Sequence, residues 1–164
     1  MSLPPPFAAY PESFLGHSEH RERRYQIRAE CFACPGDVPG LAAERVLYAL
    51  PAENLVVCAG TPPVVDDSER FVPRPVYALS ETEPPAVPTG RVFVQAGEGF
   101  DLAERVATVG YAVESVPAYA PQSAWLVARD GEISSALAGL ENLMALDGIE
   151  SVEPQMLRPS VRRA

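Results

Sequence analysis

The sequence predicts an α+β protein with a regular C-terminal domain and a smaller, proline-rich α/β unit before it. Three observations support this fold class. Hydrophobic residues make up 47% of the 164 residues, which is enough for a buried core. Prolines are concentrated before residue 91, where they interrupt regular structure. Beyond that point, short runs with strand periodicity alternate with runs of helical periodicity.

The distribution of proline also predicts the domain boundaries. Proline fixes φ and lacks an amide donor, so the first half of the chain must be rich in loops and extended segments. We therefore predict an irregular arm, a small β-α-β-β unit, a stiff linker, a C-terminal domain and a tail, at residues 1–20, 21–80, 81–90, 91–157 and 158–164 respectively.

The C-terminal domain has the pattern β-α-β-β-α-β. Strands are predicted at residues 91–95, 111–116, 124–128 and 149–153. The first helix follows a capping box formed by Asp101 and Glu104. The second carries an apolar stripe of Ile133, Leu137, Leu140 and Met144. Two crossover helices pack most simply on one face of a four-stranded antiparallel sheet, the ferredoxin-like arrangement, which leaves the other face uncovered.

The N-terminal unit is less regular. Alternating side chains predict a strand over residues 24–32, and Pro39-Gly40 opens a predicted helix that ends at Pro51. Residues 54–59 form an apolar strand. Residues 71–79 read as an edge strand, because they contain two prolines.

Charge and composition exclude several partners. The chain carries 13 basic and 22 acidic residues, a net charge of −9, whereas nucleic acids and anionic membranes reward clustered positive charge. No run approaches the roughly 18 apolar residues of a membrane helix, and no secretory signal pattern is visible at the start. The three cysteines are an odd number, which does not indicate a disulfide framework. We expect a cytoplasmic protein with reduced thiols.

Four segments of the second half carry a further pattern, which closes with an apolar helix, Asp-Gly and then Ile-Glu-x-Val-Glu-Pro. The segments are Gly110-Tyr111-Ala112-Val113, Ala124-Trp125-Leu126-Val127, Ala136-Leu137-Ala138-Gly139-Leu140-Glu141 and Gly148-Ile149-Glu150-Ser151-Val152-Glu153-Pro154. Together they resemble the N-terminal prodomain of subtilisin-type serine proteases, over less than half of the chain. The resemblance implies a ferredoxin-like domain whose uncovered sheet face lies on a protease and whose tail occupies the substrate cleft, acting as folding chaperone and inhibitor.

The resemblance also implies which residues bind. The tail Gln155, Met156, Leu157 and Arg158 takes the place of the cleft-binding segment. The Asp, His and Ser segments of a subtilisin-type catalytic domain have no counterpart, so we predict no enzymatic activity and no cofactor. The implied function is a non-enzymatic protease inhibitor or chaperone, or a relative with another binding task.

Two aromatic residues are candidates for the uncovered sheet face. Alternation separates Phe93 from Val92 and Val94, and it places either Trp125 or Leu126 on the same side as Phe93. An aromatic residue on an uncovered face forms an interaction patch. The alternative is that Phe93 and Trp125 belong to the core.

A second function class comes from Asp37-Val38-Pro39-Gly40-Leu41, which joins a predicted strand to a predicted helix. This segment resembles the strand-to-helix turn of ACT domains. The resemblance implies a regulatory module that binds a small ligand across a homodimer. An ordinary Pro-Gly helix entry explains the same residues, and a structural interaction domain is the third alternative.

Cys31, Cys34, His17 and His20 could together form a tetrahedral zinc site. Against this, Cys31 falls on the inward side of its predicted strand, where a thiol behaves as a small apolar residue. The histidines lie in a highly charged segment that is typical of a solvated surface. We therefore predict no metal site.

Overall fold

The fold is described from a computed structural model, in residues 3–18, 21–36, 43–62 and 73–159. The protein is a strand-rich α+β protein with antiparallel sheets. The chain divides into two compact units. Unit 1 comprises Met1–Ala9, Gln26–Val87 and Met156–Ala164, and unit 2 comprises Tyr10–Tyr25 and Pro88–Gln155. Within the described ranges, no helix has the length and apolar character needed to cross a membrane.

The elements follow in this order. The strands are β1 (Ser13–Ser18), β2 (Arg21–Ile27), β3 (Cys31–Pro35), β4 (Val46–Leu50), β5 (Leu55–Ala59), β6 (Tyr77–Ala78), β7 (Val87–Ala96), β8 (Tyr111–Ser115), β9 (Ser123–Ala128) and β10 (Ile149–Leu157). The α-helices are α1 (Leu102–Ala107), α2 (Ile133–Ala138) and α3 (Leu140–Met144), and single 3-10 turns lie at Pro5–Phe7, Ala43–Arg45 and Pro51–Glu53.

Unit 2 is built on a sheet with the strand order β2-β1-β10-β7-β9-β8. Strands β7 and β9 are antiparallel, with Phe93 opposite Trp125, and β8 is antiparallel to β9. Strand β1 is antiparallel to β10, with His17 opposite Val152. The last four strands of the chain are therefore neighbours, in the order β10-β7-β9-β8.

The helices pack on this sheet. The Asp101 side chain accepts a hydrogen bond from the Glu104 amide at 3.2 Å, which confirms the predicted cap of α1. Helix α1 packs on β8, α2 on β9 and α3 on β1. The buried Tyr111 hydroxyl donates a hydrogen bond to the Ala136 carbonyl and so joins β8 to α2.

The second predicted helix is divided in two at Gly139, where φ is −90° and ψ is 0°. The apolar stripe is buried as predicted at Leu137 and Leu140. Packing requires a glycine here, because a Cβ atom at position 139 would stand 2.7 Å from the Tyr111 hydroxyl. The ring of Tyr111 thus occupies the space that a side chain at this position would need.

The prediction of a helix that ends at Pro51 is wrong for the residues that the structure describes. A 3-10 turn at Ala43–Arg45 leads into β4, which is antiparallel to β5. The spacing of Val46 and Leu50 suits a helix and a strand equally, and pairing with β5 decides in favour of the strand. A bulge between Val46 and Tyr48 leaves Leu47 50% exposed. Residues 39–42 of the predicted helix lie outside the described residues.

Four further features differ from the predictions. The predicted irregular arm contains β1, and the single strand predicted over residues 24–32 is replaced by β2 and β3. Residues 87–90, predicted as linker, already belong to β7. Strand β10 does not stop at Pro154 but continues to Leu157. Gly16 of β1 makes room for this proline, because a Cβ atom there would lie 3.2 Å from Pro154 Cδ.

Unit 1 contains the three-stranded sheet β3-β5-β4, and its core lies on both faces. One cluster of buried residues includes Cys31, Ala33 and Val57. The other includes Phe32, Cys34 and Cys58 together with Phe7. The burial of both faces explains why β3 and β5 are apolar almost throughout.

Replacing Tyr111 by Phe tests the joint between β8 and α2. Removal of the hydroxyl leaves the Ala136 carbonyl without its buried donor, so we expect a loss of about 1–2 kcal/mol in the free energy of unfolding, measured by urea denaturation. Tyr119 is 87% exposed and supplies the control: Tyr119→Phe should change stability by less than about 0.5 kcal/mol. Equal effects of the two substitutions would contradict this role of Tyr111.

Candidate functional site

The two faces of the unit 2 sheet differ, and strand alternation assigns each residue to one of them. Tyr111 reaches α2 and lies opposite Ala128, so α2 covers the face to which Ala128 belongs. Leu126, two residues from Ala128, points to that covered face and is fully buried. Trp125 therefore lies on the other face, together with its cross-strand partner Phe93. This resolves the choice between Trp125 and Leu126 that the sequence left open.

The structure brings the two predicted aromatic residues into contact. The ring centroids of Phe93 and Trp125 are 4.9 Å apart, with an interplanar angle of 52°. The guanidinium of Arg91 lies over the indole, its Cζ atom 4.4 Å from the ring centroid. Such a cation–π contact at a partly exposed site contributes about 0.5–1 kcal/mol. Both aromatic residues are half-buried, rather than belonging to the fully buried core.

Glu114 completes this group by fixing Arg91. The Nε atom of Arg91 donates a hydrogen bond to Glu114 Oε1 at 2.6 Å, and the two side chains are 34% and 40% exposed. Glu114 lies at an irregularity in the pairing of β8 with β9, between Val113 and Ser115. Bulges redirect a side chain from its alternating position, and here the carboxylate meets Arg91. We call Arg91, Phe93, Glu114 and Trp125 the aromatic face.

Arg91 and Glu114 are not among the site residues predicted from the sequence. Arg91 could have been found, because alternation in the same strand puts it on the side of Phe93. Glu114 could not, because a bulge shifts the alternation and has no distinct signature in this segment.

Next to the aromatic face, the connection between β8 and β9 presents exposed apolar side chains. Val116 is 51% exposed and Tyr119 is 87% exposed. Ser115, directly before this connection, is the cross-strand partner of Trp125. Pro117 and Pro121 restrict the backbone of the connection. Among the large apolar residues that the structure describes, only Leu47 is comparably exposed.

The predicted tail residues are not an extension beyond the last strand. Gln155, Met156 and Leu157 belong to β10 and are half-buried, and Arg158 follows the strand and is exposed. Gln155 Oε1 accepts a hydrogen bond from Thr89 Oγ1 at 2.9 Å. In unit 1, Leu157 packs against a buried cluster that includes Val87. The binding role of these four residues stays a prediction.

The structure does not bring Cys31 and Cys34, the two cysteines of the considered zinc site, together. Cys31 and Cys34 belong to clusters on opposite faces of the unit 1 sheet, since residues three apart in a strand point in opposite directions. The two sulfur atoms therefore cannot hold one metal ion between them. His17 Nδ1 lies 3.8 Å from Glu22 Oε1, and His20 lies outside the described residues. Among the described residues no group of three or more metal-binding side chains occurs.

Burial keeps the three thiols protonated. It raises the pKa of Cys34 to about 12, and the neighbouring Cys58 acts in the same direction. Burial also raises the pKa values of Cys31 and Cys58. The thiolate is the reactive form of cysteine, so these groups act as core residues.

Unit 1 also contains a groove of about 590 Å³ lined by Arg28, Glu30 and Ser80 among others. The Arg28 guanidinium is already engaged, at 2.6 Å by Glu30 Oε1 and at 3.3 Å by the Ser80 carbonyl. This ion pair holds the pKa of Glu30 below its usual value. The groove therefore offers no unused charge to a ligand at Arg28. The ACT-like segment 37–41 lies outside the described residues.

Comparison of the chain with protein-family models, curated proteins and solved structures finds no match. The function is therefore argued from the geometry.

The pKa values predict how the thiols react. At about pH 8 the folded protein should react with a thiol-specific chromogenic disulfide far more slowly than the protein unfolded in guanidinium, because almost no thiolate forms. The unfolded chain should release three equivalents of chromophore, one for each cysteine. Rapid labelling of the folded protein, with its circular dichroism unchanged, would contradict the assignment of the thiols to the core.

Proposed function

We propose that this chain is a non-enzymatic binding protein that docks another folded protein on the aromatic face. The observation that carries this proposal is the contact of Phe93 with Trp125 on the side of the sheet opposite α2. The two rings are half-buried within the chain and leave apolar area for a partner to cover. Burial of such area is the main source of binding free energy at protein interfaces.

The composition of the face suits this role. Tryptophan, tyrosine and arginine are the residues that most often dominate binding free energy at interfaces. The contact with Glu114 holds Arg91 against Trp125 before any partner arrives, which reduces the side-chain entropy lost on binding. The exposed Val116 and Tyr119 extend the apolar area at one end of β8.

The strand order supports a ferredoxin-like assignment for β7 to β10. Within a β-α-β-β-α-β succession, the order β10-β7-β9-β8 places the first and third strands in the centre. In a ferredoxin-like arrangement both crossover helices lie on one side of the sheet, and the contact of Tyr111 with α2 puts the aromatic face on the other side. This arrangement agrees with the resemblance of these segments to subtilisin prodomains. We therefore propose a subtilisin-type serine protease as the partner and inhibition or assisted folding as the activity.

The tail takes a smaller part in this proposal than the prodomain resemblance implies. Insertion into a protease cleft would require Met156 and Leu157 to leave β10, and Leu157 packs against the core of unit 1. Detaching this half-buried leucine costs part of the roughly 1.5–3 kcal/mol that full burial of a leucine contributes. We propose that the aromatic face supplies the affinity.

Trp125 provides a direct test, because it is the single tryptophan of the chain. The chain is titrated with a panel of active-site-blocked subtilisin-type proteases. After subtraction of the emission of the protease alone, the fluorescence of Trp125 should change as the complex forms. In parallel, peptide hydrolysis by the active proteases should slow as the chain is added. Phe93→Ala should weaken binding about thirtyfold, the effect of losing an interface anchor worth about 2 kcal/mol.

Leu47→Ala is the matched control, because Leu47 is an exposed apolar residue of unit 1 and the substitution should leave the affinity unchanged. Circular dichroism checks that both variants remain folded. An affinity that Phe93→Ala leaves unaltered would contradict the aromatic face as the docking site. Absence of any fluorescence change and of any inhibition across the panel would contradict the protease as partner.

A further inference from the structure

Strand β2 concentrates positive charge in a protein that is otherwise acidic. Arg21, Arg23 and Arg24 are all exposed in this strand, whereas the whole chain has a net charge of −9. Glu22 is the single acidic residue of the strand. From the sequence alone, this highly charged segment is typical of a solvated surface.

The same part of β2 forms an edge of the unit 2 sheet. Strand β1 lies on one side of β2. On the other side, among the residues that the structure describes, β6 is the neighbour and pairs with Gln26 and Ile27. The outer edge of residues 21–24 therefore presents backbone amide and carbonyl groups without a described strand partner.

The side chains divide into two sets by alternation. On one side of the strand, Arg24 donates a hydrogen bond to Ser13 Oγ at 3.2 Å and Glu22 lies 3.8 Å from His17. Arg21 and Arg23 point to the other side. Within the described ranges, no carboxylate lies at ion-pair distance from either of these two guanidinium groups.

We propose that the outer edge of β2 binds an extended acidic peptide segment by strand addition. The peptide backbone would hydrogen-bond to the edge of residues 21–24, and its carboxylates would lie beside Arg21 and Arg23. This site is distinct from the aromatic face and does not depend on the proposed function.

The charge of the strand selects this occupant. A second copy of β2 would place arginine against arginine, and like charges on adjacent strands are destabilising. An acidic strand forms favourable cross-strand pairs with the same residues. The arginines thus disfavour pairing between copies of the chain while favouring an acidic segment.

The test uses the full-length chain and a short fluorescein-labelled peptide in which valine and glutamate alternate. Fluorescence anisotropy should show saturable binding that weakens as salt is added. The same peptide methylated on alternate backbone nitrogens should lose binding, because it cannot form the strand hydrogen bonds. A peptide of alternating valine and lysine should not bind.

Two double variants locate the site. The Arg21→Glu/Arg23→Glu variant should bind the acidic peptide at least about tenfold more weakly, from the loss of two favourable cross-strand pairs and the gain of repulsion. The Arg105→Glu/Arg129→Glu variant changes the net charge equally at two other exposed arginines and should retain most of the affinity. Circular dichroism monitors the fold of both.

Three results would overturn the proposal: no binding of the acidic peptide, equal binding of the methylated peptide, or equal weakening by the two double variants. The second would show that charge alone attracts the peptide, and the third would show that no particular strand is involved. Phe93→Ala should leave peptide binding unchanged, so failure here and failure of the aromatic face are separate outcomes.

Discussion

The antiparallel register of β7 and β9 is the constraint on which the rest of unit 2 depends. It pairs Val92 with Leu126 and Phe93 with Trp125, so that one pair enters the core while the other lies on the face opposite α2. A shift of one residue in either strand would exchange the two sets and bury the indole where the helices pack. The fully buried Val92 and Leu126 thus hold the aromatic face in position, because any slip would expose them to water.

The hydrogen bond between β8 and α2 links the sheet to this helix. The Tyr111 ring fills the space beside Gly139, and its hydroxyl satisfies the Ala136 carbonyl near the end of α2. Burial raises the pKa of Tyr111 far above its usual value, so the hydroxyl remains a donor at every physiological pH. The position of the tyrosine in the sheet therefore requires a glycine at position 139, between two short helices that both bury apolar residues.

The local sequence pattern predicted most elements of the second half of the chain. It gave the wrong element where pairing with another strand determines the structure. Alternation and capping indicated β7, α1 and β9, because each buries one regular face. For β4, the spacing of its apolar residues suits a helix as well, and only pairing with β5 distinguishes the two. The end predicted for β10 at Pro154 is wrong, because Gly16 on β1 leaves room for the proline within the strand. Of the site, Phe93 was predictable from its own strand, whereas the contact of Arg91 with Glu114 depends on a bulge that the sequence does not reveal.

The two surfaces proposed for unit 2 draw on different sources of binding free energy, and salt should separate them. Arg91 is neutralised by Glu114 within the chain, so a partner covering the aromatic face gains mainly from apolar burial, which salt does not weaken. Arg21 and Arg23 have no described carboxylate to neutralise them, and their attraction for an acidic strand is screened over about 8–10 Å at physiological ionic strength. Added salt should therefore weaken binding at the arginines and not at the aromatic face.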